Sequence, residues 1–201
     1  MQIQLADFDR KFYSVPYAVK DYGRHADRID LVVQCLFERR RMRIGYGDPP
    51  KPHEIDPYTL AEYRGGLYLL AHSHRAERIL WFAIERITTA ERLDERFVYP
   101  ARYSPAKYTE GTFGIMDGEE TRVDLRIAND ETVGLLRARR IHPTQRFRRR
   151  PDGTTVLTMR VRGTKELANW VLSHTPWIEV LRPRALREEV AGRLRKAMAR
   201  Y

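Results

Sequence analysis

The stretch Arg64-Gly65-Gly66-Leu67-Tyr68-Leu69-Leu70-Ala71 limits the fold more than any other part of the chain. A Gly-Gly pair between two apolar runs reads as a tight hairpin turn, and a tight turn fixes the register of both strands. The turn is expected to join a strand over residues 53–62 to one over residues 67–74. Counting by two along the second strand places Tyr68, Leu70, His72 and His74 on one face and Leu67, Leu69 and Ala71 on the other. Upstream, Met42, Ile44 and Tyr46 alternate with Arg41, Arg43 and Gly45, another half-buried strand. Residues 47–52 carry three prolines and are expected to be a loop. Residues 77–83 and 86–93 complete a set of about five antiparallel strands. Strands at such spacing favour a small barrel, because closure removes the sheet edges.

The segments around this hairpin have a different character. Residues 1–26 are polar and studded with aromatics, and are expected to be an arm or linker. From Asp27, read as an N-cap, Ile29, Val32, Val33 and Leu36 repeat at helical spacing, and the helix is expected to end near Arg39-Arg40-Arg41. The barrel domain thus spans residues 27–95, followed by a connector at 96–119 with Phe97, Tyr99, Tyr103, Tyr108 and Phe113. Beyond it, over residues 120–201, the order changes. Val123, Leu125 and Ile127 form a strand, and Val133 to Leu136 belong to a helix. Pro151-Asp152-Gly153 turns a hairpin, and Thr164 is placed to cap a helix carrying Leu167, Trp170 and Val171. A strand at 177–181 is stopped by Pro183, and a charged helix ends the chain. That βαββαβ order is ferredoxin-like, and the fold class is α+β.

Composition narrows the function. The net charge of +10 on 201 residues makes a polyanion partner worth testing, while 42% hydrophobic residues allow a packed core. Cys35 is the single cysteine, which excludes an intramolecular disulfide and a multi-thiolate zinc site. The first residues lack the basic and apolar blocks of a signal peptide, and the longest apolar run, 79–84, is too short to cross a bilayer. A cytoplasmic protein without membrane attachment is expected. Motifs for nucleophilic, nucleotide-hydrolysing, dinucleotide-dependent or zinc-dependent catalysis are absent, so no enzyme and no cofactor is expected. His72 and His74 project from one strand face and can approach a zinc ion, but a third ligand is not evident from the sequence, and no metal is expected.

Two cationic regions stand out instead. Leu80, Phe82 and Ile84 share a period-2 face with Arg86, so apolar side chains filling a barrel with His, Tyr and Arg at one end would make a concave anion site. Arg86 paired with Glu85, and Tyr68 as a core residue, is the competing reading. In the second region Arg139, Arg140, Arg146, Arg148 and Arg149, facing Arg160 and Arg162 across a hairpin, form a ribbon able to track phosphates. A solvated face or an oligomer contact is the alternative there.

The run Tyr46, Ile55-Asp56-Pro57-Tyr58, Gly65-Gly66-Leu67-Tyr68-Leu69 and Phe82-Ala83-Ile84-Glu85-Arg86-Ile87 resembles the WYL domain. Ile141-His142-Pro143-Thr144-Gln145, Glu166 to Leu172, Glu179-Val180-Leu181-Arg182-Pro183 and Leu186-Arg187 resemble the C-terminal extension that often follows it. The resemblance implies an Sm-like or SH3-like barrel preceded by a helix. It also implies the ligand-sensing, dimerising region of a bacterial transcription regulator, responding to single-stranded DNA or a nucleotide-like effector. A structural interaction module with a filled barrel is the alternative. The ligand set expected on these grounds is Tyr46, His53, Tyr68, His72, Arg78 and Arg86, with His53 where the family often has arginine. Leu67 stands at the motif tryptophan, and Leu80 and Ala83 stand where arginines are common, so the cationic set is thinner than usual. Regulators of this kind carry a DNA-binding helix-turn-helix upstream. The chain is expected to be either part of a longer regulator or a stand-alone sensor; residues 8–22 resemble the usual inter-domain linker and favour the former, and a homodimer is expected.

Overall fold

A computed structural model of the protein describes residues 20–201, in two units divided between Tyr103 and Ser104. Most of the expected N-terminal arm lies outside the described residues.

In the first unit a helix, α1 (Ala26–Glu38), precedes five strands: β1 (Arg40–Tyr46), β2 (Lys51–Tyr63), β3 (Gly66–Ser73), β4 (Arg78–Ala83) and β5 (Ile87–Arg96). They form one antiparallel sheet in the order β4-β3-β2-β1-β5. Asp27 is not the N-cap; it lies in the first turn, and His25 precedes the helix without a side-chain cap bond. The helix ends where Arg39 turns left-handed (φ 55°). The hairpin turn is also shifted by one residue. Tyr63 pairs with Gly66, so Arg64 and Gly65, both at positive φ (50° and 75°), are its central residues. Pro52 belongs to β2 rather than to the loop. It pairs with Gly45 beyond the point where β3 begins to pair, so its missing N–H removes no bond on that side. Pro57 sits at a register shift between β2 and β3.

The edge strands β4 and β5 are consecutive, joined by a single 3-10 turn, Ile84–Arg86. In a flat five-stranded sheet they would lie about 19 Å apart, four strand spacings. The chain from Ala83 to Ile87 reaches about 14 Å at most, so the sheet has to curl. Its inner face buries Met42, Ile44, Ile55, Leu69, Phe82 and Ile84 against Val32 and Cys35 of α1. Cys35 is fully buried, and burial pushes its thiol pKa up, away from reactivity.

The second unit contains β6 (Glu120–Ile127), α2 (Asp130–Arg137), β7 (Arg146–Arg149), β8 (Thr155–Arg162), α3 (Lys165–Ser173), β9 (Ile178–Arg182) and α4 (Arg184–Met198). Its antiparallel sheet has the order β7-β8-β6-β9. Val123, Leu125, Leu157, Met159 and Val161 form one core with apolar residues of all three helices, so the helices share one face of the sheet. Asn129 caps α2, its Oδ1 accepting from the Thr132 N–H at 2.8 Å. Thr164 stands at the N-cap of α3 but makes no side-chain cap bond. Instead the Glu166 carboxylate accepts from the N–H groups of Ile115 and Met116, both at 2.7 Å, and fixes the loop before β6. A Cβ on Gly114 (φ 109°) would overlap that carboxylate, which explains the glycine.

Candidate functional site

Because directly paired residues share a sheet face, the registers decide which of the expected ligand residues meet. Ile44 pairs with His53, Ile55 with Ser73, and Ser73 with Arg78, so His53, Ser73 and Arg78 stand on the same inner face as the core. Tyr46 joins them. Its ring meets Phe82 edge-on at 5.0 Å and His53 at 6.3 Å, and its hydroxyl accepts from the Ala83 N–H at 3.2 Å. The His53 ring lies 5.4 Å from Phe82, with Nδ1 3.3 Å from the Ser73 hydroxyl.

Arg86 is not on the strand face shared by Phe82 and Ile84. The 3-10 turn breaks the period of two, leaving Ile84 buried and Arg86 exposed. The turn nevertheless delivers the guanidinium to the same place, 4.8 Å from the centre of the Tyr46 ring, a cation–π geometry. The backbone holds it there: the Gly47 N–H donates to the Arg86 carbonyl at 3.0 Å. Gly47 itself takes a left-handed conformation (φ 92°) that side-chain-bearing residues rarely adopt, beside the guanidinium. The pairing of Arg86 with Glu85 does not form. Glu85 instead takes Lys20 and the Tyr22 hydroxyl. Among the described residues Arg86 and Arg78 make no ion pair.

Burial, then the charges of Arg75 and Lys51, hold the His53 imidazole below its ordinary value of 6.5. Positive charge from Arg75 and Lys51 thus gathers at the rim, around a histidine whose protonation is disfavoured. Nothing in the local pattern around Ser73, Arg75 or Lys51 marks them as members of this rim. The register sets Ser73 opposite Ile55 and Lys51 opposite Tyr46, and Arg75, outside the strands, is near enough to act on the His53 ring.

Tyr68 and His72 fall on the opposite face. Tyr68 lies edge-on to Trp81 at 6.3 Å, with the Lys20 ammonium 5.9 Å from its ring. His72 lies against His74, ring centres 4.9 Å apart. Neither reaches the rim. The expected six-residue set therefore separates into Tyr46, His53, Arg78 and Arg86 on the inner side, and Tyr68 and His72 outside.

In the second unit the arginine ribbon also divides. Arg146 pairs with Thr158 and Arg148 with Val156, on the sheet face away from the helices. Arg122 and Arg160 pair across β6 and β8 on that same face, and Arg182 joins them opposite Asp124. Asp124, 7% exposed, is held by Arg122 at 3.2 Å and by the Thr158 hydroxyl at 2.8 Å. Asp124 shares this face with Glu120 and Glu179, against at least six arginines once Arg126 is counted, and two shallow cavities of about 720 and 400 Å³ lie along it. Arg149 points to the helix side and pairs with Asp130 at 2.5 Å. Arg139 lines a different groove, beside Leu135 and Trp177, and Arg140 stays in the loop before β7. The Ile141-to-Gln145 motif organises that loop: the Gln145 side-chain oxygen accepts from the N–H groups of Ile141 and His142.

Residues 27–92 match the WYL domain, and residues 119–198 match the WCX domain. The chain is a WYL-domain protein. Solved structures similar to it include the following two. The proteasome accessory factor B/C (PafBC) of Arthrobacter aurescens is 20% identical over 92% of this chain and 29% of its own, with a TM-score of 0.43. A CRISPR Cas-related protein is 13% identical over 88% of this chain and 52% of its own, with a TM-score of 0.61. The latter likeness is one of fold. The WYL-domain chain spans about half of the length of that protein and less than a third of PafBC. No curated protein matches the sequence. None of the described helices is long and apolar enough to cross a membrane.

Proposed function

We propose that this chain is the effector-sensing and dimerising region of a bacterial transcriptional regulator, working in the cytoplasm by binding rather than catalysis. Its curled sheet is read as an Sm-like barrel, closed by the short β4–β5 connection, and its second unit as ferredoxin-like, from the order β7-β8-β6-β9. The effector is a nucleotide-like or single-stranded nucleic-acid anion. One observation carries this reading: Arg86, without a carboxylate partner among the described residues, lies over Tyr46 at the end of the core where His53 and Arg78 also face. An arginine and a histidine recognise phosphate oxygens, and the Tyr46 and Phe82 rings supply apolar surface for a base. The open arginine face of the second sheet adds backbone contacts that give affinity without sequence preference. Dimerisation is assigned to the groove of about 350 Å³ where Leu135 and Trp177 stand 59% and 50% exposed. Effector binding shifts the regulator between two arrangements only if its affinity for them differs.

The test is a titration of fluorescent single-stranded oligonucleotide and of nucleotides into wild type and Arg86→Ala at matched salt. Loss of a charged hydrogen-bond donor should weaken binding by about 10- to 100-fold. Equal binding by the two proteins would overturn the reading.

A further inference from the structure

The outer face of the curled sheet holds a second constellation that this function does not use. We infer that Asp56, His72 and His74 form a binding site for a divalent transition metal of the zinc class. Asp56 on β2 pairs directly with His72 on β3, and His74 projects on the same side two residues on. The backbone N–H of His74 donates to the Glu54 carbonyl at 3.0 Å, which keeps the second histidine in line past the end of β3. The three ligand atoms lie within 4.8 Å of one another. Tetrahedral zinc with bonds near 2.0–2.1 Å needs them about 3.3 Å apart, a closure that side-chain rotation supplies. Asp56 is 6% exposed and precedes Pro57 at the register shift, so its carboxylate is held firmly.

The carboxylate is already divided between two tasks. Arg41 Nε donates to Oδ1 at 2.8 Å, leaving Oδ2 toward His74 Nε2 at 3.0 Å. A partner that fixes one oxygen and presents the other is the arrangement expected around a metal-binding carboxylate. Two imidazoles and one carboxylate suit zinc and leave a fourth position for water or a ligand. A simple Asp56–His74 ion pair is the competing account, and His72 separates the two. Among the described residues the His72 imidazole has no hydrogen bond, so an ion pair gives it no task, whereas a metal site needs it.

The experiment uses the full chain, equilibrium dialysis against zinc, and visible absorption with cobalt(II). Wild type should take up one equivalent of zinc and give the intense bands of tetrahedral cobalt. His72→Ala, His74→Ala and Asp56→Asn should each lose affinity by more than about tenfold, while His53→Ala binds as wild type. His72→Gln repeats the test at closer volume in case the alanine variant unfolds. Zinc should also raise the melting temperature of wild type and not of His72→Gln. Absence of zinc uptake by wild type, or unchanged uptake by both His72 variants, would overturn the assignment.

Discussion

The two sheets of this protein use the same material differently. Both are antiparallel, both bury one face, the first under one helix and the second under three, and both carry arginines. In the first, the edge strands are joined by three residues, and curvature brings the side chains at one end of the inner face together. Tyr46, His53, Phe82 and Arg86 meet there directly above the core. In the second, the strand order keeps β7 and β9 at opposite edges, so Arg146 and Arg182 stand across the sheet from one another. A curled sheet gathers its charges at one end, and an open one spreads them along a face.

The contrast can be broken most decisively at Phe82, which is 1% exposed and serves the core and the rim at once. Phe82→Ala should cost about 3–5 kcal/mol by urea unfolding and abolish nucleotide binding with it. A variant that unfolds normally yet binds no nucleotide would show that rim and core are separable. In the second unit the comparable position is Glu166, whose carboxylate serves two backbone N–H groups. Glu166→Ala should cost about 2 kcal/mol while leaving nucleotide binding at the rim intact.

Charge on the open face should behave in the opposite way, changing binding and not folding. Replacing Arg146, Arg148 and Arg160 together by alanine should lower the log–log salt slope for single-stranded DNA by about 0.7 for each phosphate no longer neutralised. Exposed substitutions of this kind move stability by only about 0.5 kcal/mol each. An unchanged slope would remove this face from the interface.

The smallest expected effect is the pH response of His53. Burial and the nearby cations lower its folded pKa, so the unfolded chain binds the proton first as pH falls below 6.5. Stability is therefore complete above that value and declines as pH drops toward the folded pKa. Anion affinity should rise over the same window, because phosphate favours the protonated ring. His53→Ala should flatten both curves; a wild-type affinity independent of pH between about 5 and 7 would exclude His53 from the rim.

Much of the fold is legible without coordinates. The alternation at Met42, Ile44 and Tyr46, the helical stripe of α1 and the turn at Pro151-Asp152-Gly153 each place an element by local chemistry alone. The site is less accessible. Alternation separates Tyr68 and His72 from Leu67 and Leu69, but it cannot say which face lies over the core. Arg86 follows a strand that gives way to a 3-10 turn, whose period is three rather than two, so counting by two misplaces it. Arg146 and Arg149 are three residues apart and face opposite sides of one strand.

By itself the sequence determined the elements, their order and the excess of arginine, because propensity, turn chemistry and hydrophobic period act over a few residues. Only the tertiary structure decided which groups meet. Asp56 faces His72, Arg86 reaches Tyr46, and Arg122 joins Arg160 through pairings between distant strands. Those pairings depend on register, a property of two strands together that neither strand encodes alone.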